Sequence, residues 1–304
     1  MKNCLFLFAL LFSSSLFAQK SVDLFNVFYR TSPNAGVLGS EDERQLTSFV
    51  VNGKAPLVID SNNIIIVGLE YQNSRISQNK SNAFFHDIQF NSTMLQLGYD
   101  HKFNPKTKAL FMGMFRINSD FVDVNRDHLQ TAGLVLVTSK KTEQFAWQFG
   151  AYANTEFFGL MVVPLIGFNW EINPKWRLKM LAPVNMELGY MPNAKSRMGF
   201  RYEGNNSTFF QRSAASNFPS LNDQYLDKAD NNVWLFYERQ IVKNIWLHAK
   251  AGYSVLREYR NFNTDDKIDF RISPVSLGDN RNSHAMYMAN STSFEIRMIY
   301  RLPI

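Results

Sequence analysis

Two stretches of this 304-residue chain run through closely similar side chains and end in the same tight turn. One is Pro164-Leu165-Ile166-Gly167-Phe168-Asn169-Trp170-Glu171-Ile172-Asn173-Pro174-Lys175, and the other runs from Pro183 through Glu187 and Tyr190 to Asn193-Ala194-Lys195. In each, an aromatic residue (Trp170, Tyr190) stands three positions before an Asn-x-Lys turn, and a strand with alternating side chains follows. Tyr99 to Lys106 repeats the device, and Tyr237 to Asn244 does so more loosely. Asn starts a turn through its side chain, and proline presets the second turn position. Frequent tight reversals with an aromatic at a fixed height restrict the chain to short antiparallel hairpins, the building unit of a transmembrane β-barrel.

Alternation between the turns supplies the walls. Along Ile245 to Tyr259, one face carries Ile245, Leu247, Ala249, Ala251, Tyr253 and Val255, and the other His248, Lys250, Ser254 and Glu258. Phe145, Trp147, Phe149 and Ala151 oppose Gln144, Gln148, Asn154 and Glu156 in the same way, and Met198, Phe200 and Tyr202 oppose Arg197, Arg201 and Glu203. A charged face is costly against lipid and therefore points to a lumen. The lumen-lining set is then Arg177, Lys179, Glu187, Arg197, Arg201, Glu203, His248 and Lys250, with Glu295, Arg297 and Arg301 on the last strand. Two readings of it stay open. Charges of both signs pair across strands and fill a narrow barrel. Alternatively, an arginine excess lines a wider pore and favours anions. With Glu156 and Glu258 added to the inward carboxylates, the excess is small and any anion preference weak.

The N-terminus opens Met1-Lys2-Asn3, followed by an apolar run from Cys4 to Phe12 and then Ser13 to Gln19. A basic start, a short apolar core and small residues at Ser15 and Ala18 predict a secretory signal peptide over 1–18, cut after Ala18. The run falls short of the roughly 20 residues a membrane helix needs. Cys4, the sole cysteine, lies in that leader, so the mature chain has no thiol for disulfides or zinc–thiolate sites.

No later segment is apolar enough for a membrane helix, but a barrel hides from hydropathy because only alternate residues face lipid. Aromatics form 14% of the chain, with 27 Phe and 12 Tyr, which suits interfacial girdles. The net charge of +6 is spread along the chain, and an exported protein seldom meets nucleic acid, so none is expected as a partner. Tight turns fall at Asp60–Asn63, Asn104–Lys106, Ser139–Thr142, Asn173–Lys175, Asn193–Lys195 and Val242–Asn244. Longer polar connections fall at Thr31–Arg44, Gln72–His86, Gly204–Asn231 and Asn261–Ala285, and read as solvated loops on the opposite side. Trp176 to Tyr190 reads as two strands joined at Ala182-Pro183, with Pro164 and Pro183 each opening a descending strand. Val22 to Ile59 adds a strand pair or lies along the rim. The result is an all-β fold, one antiparallel up-and-down transmembrane barrel over 19–304 with roughly 12 to 14 strands.

The chain closes with Phe294, Ile296, Met298, Tyr300 and Leu302 on one face and Glu295, Arg297 and Arg301 on the other. This resembles the C-terminal strand that bacterial outer-membrane barrels present to their assembly machinery, although such strands usually end on Phe or Trp and this one runs on to Leu302-Pro303-Ile304. With the leader and the repeated turns, the mature chain resembles the uncharacterised outer-membrane β-barrel families of Gram-negative bacteria. The resemblance implies outer-membrane location, outer-membrane lipid and the barrel-assembly machinery as partners, and a porin-like or small-solute transport role. The alternative is a sealed structural or surface-binding barrel that uses the loops Gly204–Asn231 and Asn261–Ala285.

No enzyme, metal site or cofactor is expected. Among His86, His101, His128, His248 and His284, none stands in a local motif with Ser or Asp; His284, near Asn290, Ser291 and Ser293, comes nearest. Asp265, Asp266 and Asp269 could offer oxygen ligands to calcium, but Lys267 and Arg271 interleave with them and no calcium-loop glycine follows.

Overall fold

The computed structural model describes residues 21–36, 43–78, 87–122, 124–212, 223–273, 275–281, 284–285 and 288–303. The leader expected over 1–18 lies outside them.

The chain forms β1 (Ser21–Gly36), β2 (Glu43–Val58), β3 (Asn63–Gln78), β4 (Ile88–Asn104), β5 (Thr107–Ser119), β6 (Leu129–Lys140) and β7 (Phe145–Glu156). It continues with β8 (Gly159–Asn173), β9 (Trp176–Ala182), β10 (Asn185–Asn193), β11 (Ser196–Gln211), β12 (Gln224–Val242) and β13 (Ile245–Asn263). Three short pieces, β14 (Phe270–Ile272), β15 (Val275–Leu277) and β16 (His284–Ala285), precede the last strand, β17 (Thr292–Pro303). Each strand from β1 to β13 pairs antiparallel with the next, β13 pairs with β17, and β17 pairs with β1 from Ser21↔Pro303 to Thr31↔Phe294. That last pairing closes a 14-strand up-and-down transmembrane barrel. Val22 to Ile59 thus supplies two wall strands rather than a rim segment.

The turn motif has a direct physical basis. Asn104 Oδ1 accepts the backbone N–H of Lys106 at 2.9 Å and of Thr107 at 3.0 Å. Asn173 Oδ1 does the same for Lys175 (2.9 Å) and Trp176 (3.0 Å), and Asn193 Oδ1 for Lys195 (2.9 Å). These side chains satisfy donors that the reversal takes out of the ladder. All six tight turns and both barrel ends of the chain lie on one rim, just below exposed aromatics including Tyr99, Trp147, Trp170, Trp176, Tyr237 and Tyr300. Exposed Leu69, Phe111, Phe149, Phe200, Leu235 and Ile296 cover the band above, and the inward neighbours are polar or buried. An outer face this apolar is stable only in lipid.

The opposite rim departs from the expected loops. Strands run on into all four: β1 to Gly36, β3 to Gln78, β11 to Gln211 and β13 to Asn263. Where these strands extend, their polar residues fill ladder positions rather than solvated turns; 37–42, 79–86 and 213–222 lie outside the described residues. The short strands are β9 and β10, joined through a cis Ala182–Pro183 bond, and Ala182 reaches only the level of Ile166 on β8. Pro183 therefore sits in a turn, but Pro164 lies within β8 opposite Ala151 and opens no strand. Beyond Glu203, β11 has no β10 residue to pair with; it leaves the wall and crosses the mouth until Phe210 meets Ser119 of β5.

Strands β12 and β13 follow β11 inward as a three-stranded septum. The bend falls at a bulge where Asn231 opposes Leu256 while Asn232 opposes Ser254, leaving Val255 and Leu256 both exposed. An extra residue at a bulge bends the strand and reverses the facing beyond it. One side of the septum packs Phe209, Leu226 and Tyr259 against Leu46, Ile76, Ile88 and Phe90 of the wall. The other packs Tyr225 and Phe262 against Phe158, Met161, Val163 and Leu165. The β8 edge that β9 leaves bare at Met161 and Val162 is taken by β14 in parallel pairing.

Candidate functional site: a charged lumen under a closed mouth

Register brings the charged residues to one height. Lys250 lies opposite Glu295, which lies opposite Arg30; His248 lies opposite Glu238, which lies opposite Arg197; and Glu187 lies between Arg201 and Lys179. Opposite charges on facing residues are favourable cross-strand pairs, and here they repeat from strand to strand. Arg30 reaches Glu295 at 2.6 Å and Glu203 at 3.2 Å, and Lys250 lies 3.0 Å from both carboxylates. Arg297 approaches Glu295 at 2.9 Å. Glu238 receives Arg301 at 2.7 Å, Arg197 at 3.4 Å and His248 at 3.3 Å. Trp234 is fully buried on the mouth side of this group, with the Lys250 ammonium 4.7 Å and the Arg30 guanidinium 5.0 Å from its ring centre.

Access falls into two zones. The side chains of Lys250 and Glu295 are 0% exposed and Glu238 1%, so these three are closed to water, while the guanidinium groups around them keep a margin, Arg30 22% and Arg297 20%. Buried charges persist only when paired, as these are. Toward β9–β11 the inner face opens, and Arg201 retains 28% exposure and Arg177 22%. Glu187 there accepts Arg197 at 3.1 Å and Arg201 at 3.6 Å, with Lys179 directly across the ladder and exposed. Arg177 pairs only loosely, at 3.6 Å from Glu171. From β9 round to β5 the inner face turns apolar through Leu181, Leu165, Leu136, Leu134, Met114 and Met112.

The mouth is held shut by a polar latch. Glu156 of β7 forms an ion pair with Arg116 and a short hydrogen bond with the Thr208 hydroxyl, and accepts the Thr208 backbone N–H at 2.9 Å. Asn118 Nδ2 donates to the Thr208 carbonyl at 3.0 Å, and Gln130 Nε2 donates to its hydroxyl oxygen at 2.8 Å. Where the septum bends, Arg257 Nε meets Asp230 at 3.2 Å, Nη1 donates to Ser291 at 2.8 Å, and Nη2 donates to Ser32 at 3.2 Å.

All eleven residues singled out in the sequence stand on the inner face; the ion pairs above join nine of them, His248 contacts Glu238, and Lys179 meets Glu187 only across the ladder. Glu258 does not stand with them: beyond the bulge it points outward, beside Arg260. Arg30, Glu238, Arg116, Asp230 and Arg257 join this inner network without a local sequence signal for it. Glu238 follows the unbroken apolar run Val233 to Tyr237, which hides its parity, and Arg257 and Asp230 sit beyond or at the bulge. Arg30 follows from the alternation of β1 once β1 is a wall strand, since it stands beside the exposed Tyr29.

His128 stacks on Phe210 at 4.0 Å, and His101 lies 2.7 Å from Asn63 Oδ1 at the turn rim. His284 pairs through β16 with Asn261, and His86 lies outside the described residues. Asp266 Oδ2 accepts the Asn263 backbone N–H at 3.1 Å, closing the turn after β13.

Residues 57–289 match the family model described as "Domain of unknown function (DUF6268)". No curated protein matches the chain. Among solved structures it is similar to the COG4313 outer membrane channel from Pseudomonas putida F1, at 6% identity over 95% of this chain and 99% of that one, with a TM-score of 0.49. It is also similar to the NanC porin (7% identity, 92% and 100% covered, TM-score 0.40). A third is the translocator domain of autotransporter NalP from Neisseria meningitidis (10%, 92% and 89%, 0.38).

Proposed function

The chain belongs to the DUF6268 family, and we propose that it is an outer-membrane, porin-like barrel that passes small solutes, anions ahead of cations. The observation that carries this reading is the water-reached inner face around Glu187, where Lys179 stays exposed across the ladder and Arg197 and Arg201, each also held by a second carboxylate (Glu238 and Glu203), line the wall. Fixed positive charge on a lumen wall raises the local concentration of anions and lowers that of cations. The rest of the reading is a leader cut after Ala18, outer-membrane lipid as solvent, and assembly through the alternating face of β17. Chemistry of the enzymatic kind forms no part of it.

The septum favours a second reading, a sealed structural barrel. Its two apolar faces and the Glu156–Thr208 latch close the mouth through buried contacts. Liposomes reconstituted with the refolded barrel separate the two: chloride efflux faster than potassium efflux supports the pore, and efflux at the rate of empty liposomes supports the seal.

A further inference from the structure

The unsealed part of the lumen is two-sided. Around Glu187, Arg197 is also held by Glu238 and Arg201 by Glu203, Lys179 meets Glu187 only across the ladder, and Lys179 and Arg201 keep exposed surface. Immediately beside them on β9 the inner face changes character at Leu181; Leu181, Leu136 and Leu134 pack against the septum core, in which Leu165 is buried, and remain only partly buried. A lumen meant only for hydrated ions gains nothing from an apolar wall, since half-buried leucines there neither solvate an ion nor repel one. A lumen filled only by packing gains nothing from leaving Lys179 exposed. The pair of features fits a solute with one anionic end and one apolar end.

We propose that the lumen beneath the septum holds a subsite for a small amphipathic carboxylate. The carboxylate lies against Lys179 and Arg201, which bind it by charge-assisted hydrogen bonds in competition with Glu187, and an aliphatic or aromatic tail of a few carbons runs along the partly buried Leu181, Leu136 and Leu134. Arg201 suits the head because its guanidinium keeps donors that Glu187, at 3.6 Å, and Glu203, at 3.2 Å, do not all occupy. The low wall at β9–β10 puts the subsite directly under the turn at Pro183 and Val184. This deepens the pore reading, on which it rests for access to the lumen, and it names the solute class.

The probe is radiolabelled octanoate, below its micellar concentration, with the purified barrel in nanodiscs; empty nanodiscs give the partitioning background. The parent is expected to retain octanoate above background, and excess acetate or octan-1-ol is expected to displace it poorly, since each carries half of the recognition. Lys179→Gln with Arg201→Gln is expected to weaken retention about tenfold or more, the scale of losing charge-assisted bonds. Leu136→Ser weakens it through the tail, and Lys179→Arg preserves it. Heat-modifiable gel migration identifies the variants that fold. Retention by the folded double variant equal to the parent's, or octan-1-ol competing as well as octanoate, would overturn the subsite. Current recorded from the same preparation keeps the two ideas apart: current without octanoate retention removes the subsite and leaves the pore, and retention without current removes the pore and leaves the subsite.

Discussion

Glu156 on β7 accepts the backbone N–H of Thr208 on β11 at 2.9 Å, although four strand-to-strand steps separate the two along the wall. The contact exists because β9 and β10 stop low and β11 swings across the mouth. Thr208→Val removes the hydroxyl and leaves Glu156 short of a donor, a change that typically costs about 1–3 kcal/mol when buried. Hydrogen exchange at the Phe209 and Phe210 amides should accelerate in this variant, with the turn-rim amides unchanged. Equal protection in parent and variant would show that the apolar faces alone hold the septum.

Arg257 and Asp230 anchor the bend. Asp230→Ala strands a buried guanidinium and should destabilise the barrel by roughly 3–5 kcal/mol, whereas replacing both partners with apolar residues of similar size should cost far less. Urea unfolding midpoints in lipid vesicles compare the two. A single variant as stable as the double would place the pair in solvent.

Ala251 faces lipid between Leu247 and Tyr253, so Ala251→Arg should cost about 2–4 kcal/mol near the bilayer centre, while the inward Gln148→Arg should be tolerated. Gly252, the adjacent inward position, makes a poor comparison: a Cβ there would lie 2.3 Å from the Val233 carbonyl oxygen and 2.6 Å from the Trp234 ring. Gly252→Ala alone should therefore lower stability. Equal tolerance of arginine at Ala251 and Gln148 would contradict the facing.

At the turn rim, Asn173→Ala removes an acceptor for two backbone donors and should cost about 0.5–1.5 kcal/mol, with no change in lumen properties. The Asp60 turn, on the same rim, adds pH dependence. Hydrogen bonds from the Asn63 amide and the Asn62 backbone hold the Asp60 carboxyl below its ordinary value. A depressed carboxyl stabilises the fold above its unfolded pKa of about 4 and loses that contribution as pH falls through the lower folded value. Asp60→Asn should flatten the acid limb of the stability profile between those two values; an unchanged limb would remove Asp60 from the account.

Alternation and Asn turns made the walls, the turn rim and the inner face of β9–β11 and β17 legible, because both signals are local in sequence. The mouth was not legible. A bulge at Leu256 shifts facing by one residue without any change in composition, so plain alternation places Glu258 inward and Arg257 outward, the reverse of the structure. The septum is polar enough along Gly204 to Asn231 to read as loop, since Asn and Asp residues there fill ladder positions that only long-range pairing reveals. Glu238 needed β11 and β17 in place before its three cations could be counted.

Current across a planar bilayer under a potassium chloride gradient tests the pore most directly. The account predicts openings in the parent with a reversal potential on the anion-preferring side, weakest at high salt where the Debye length is about 3 Å. Arg197→Gln with Arg201→Gln should move that potential toward cations, and Thr208→Val should raise the open fraction by loosening the septum. Cation preference in the parent, or silence in both the parent and Thr208→Val, would contradict it.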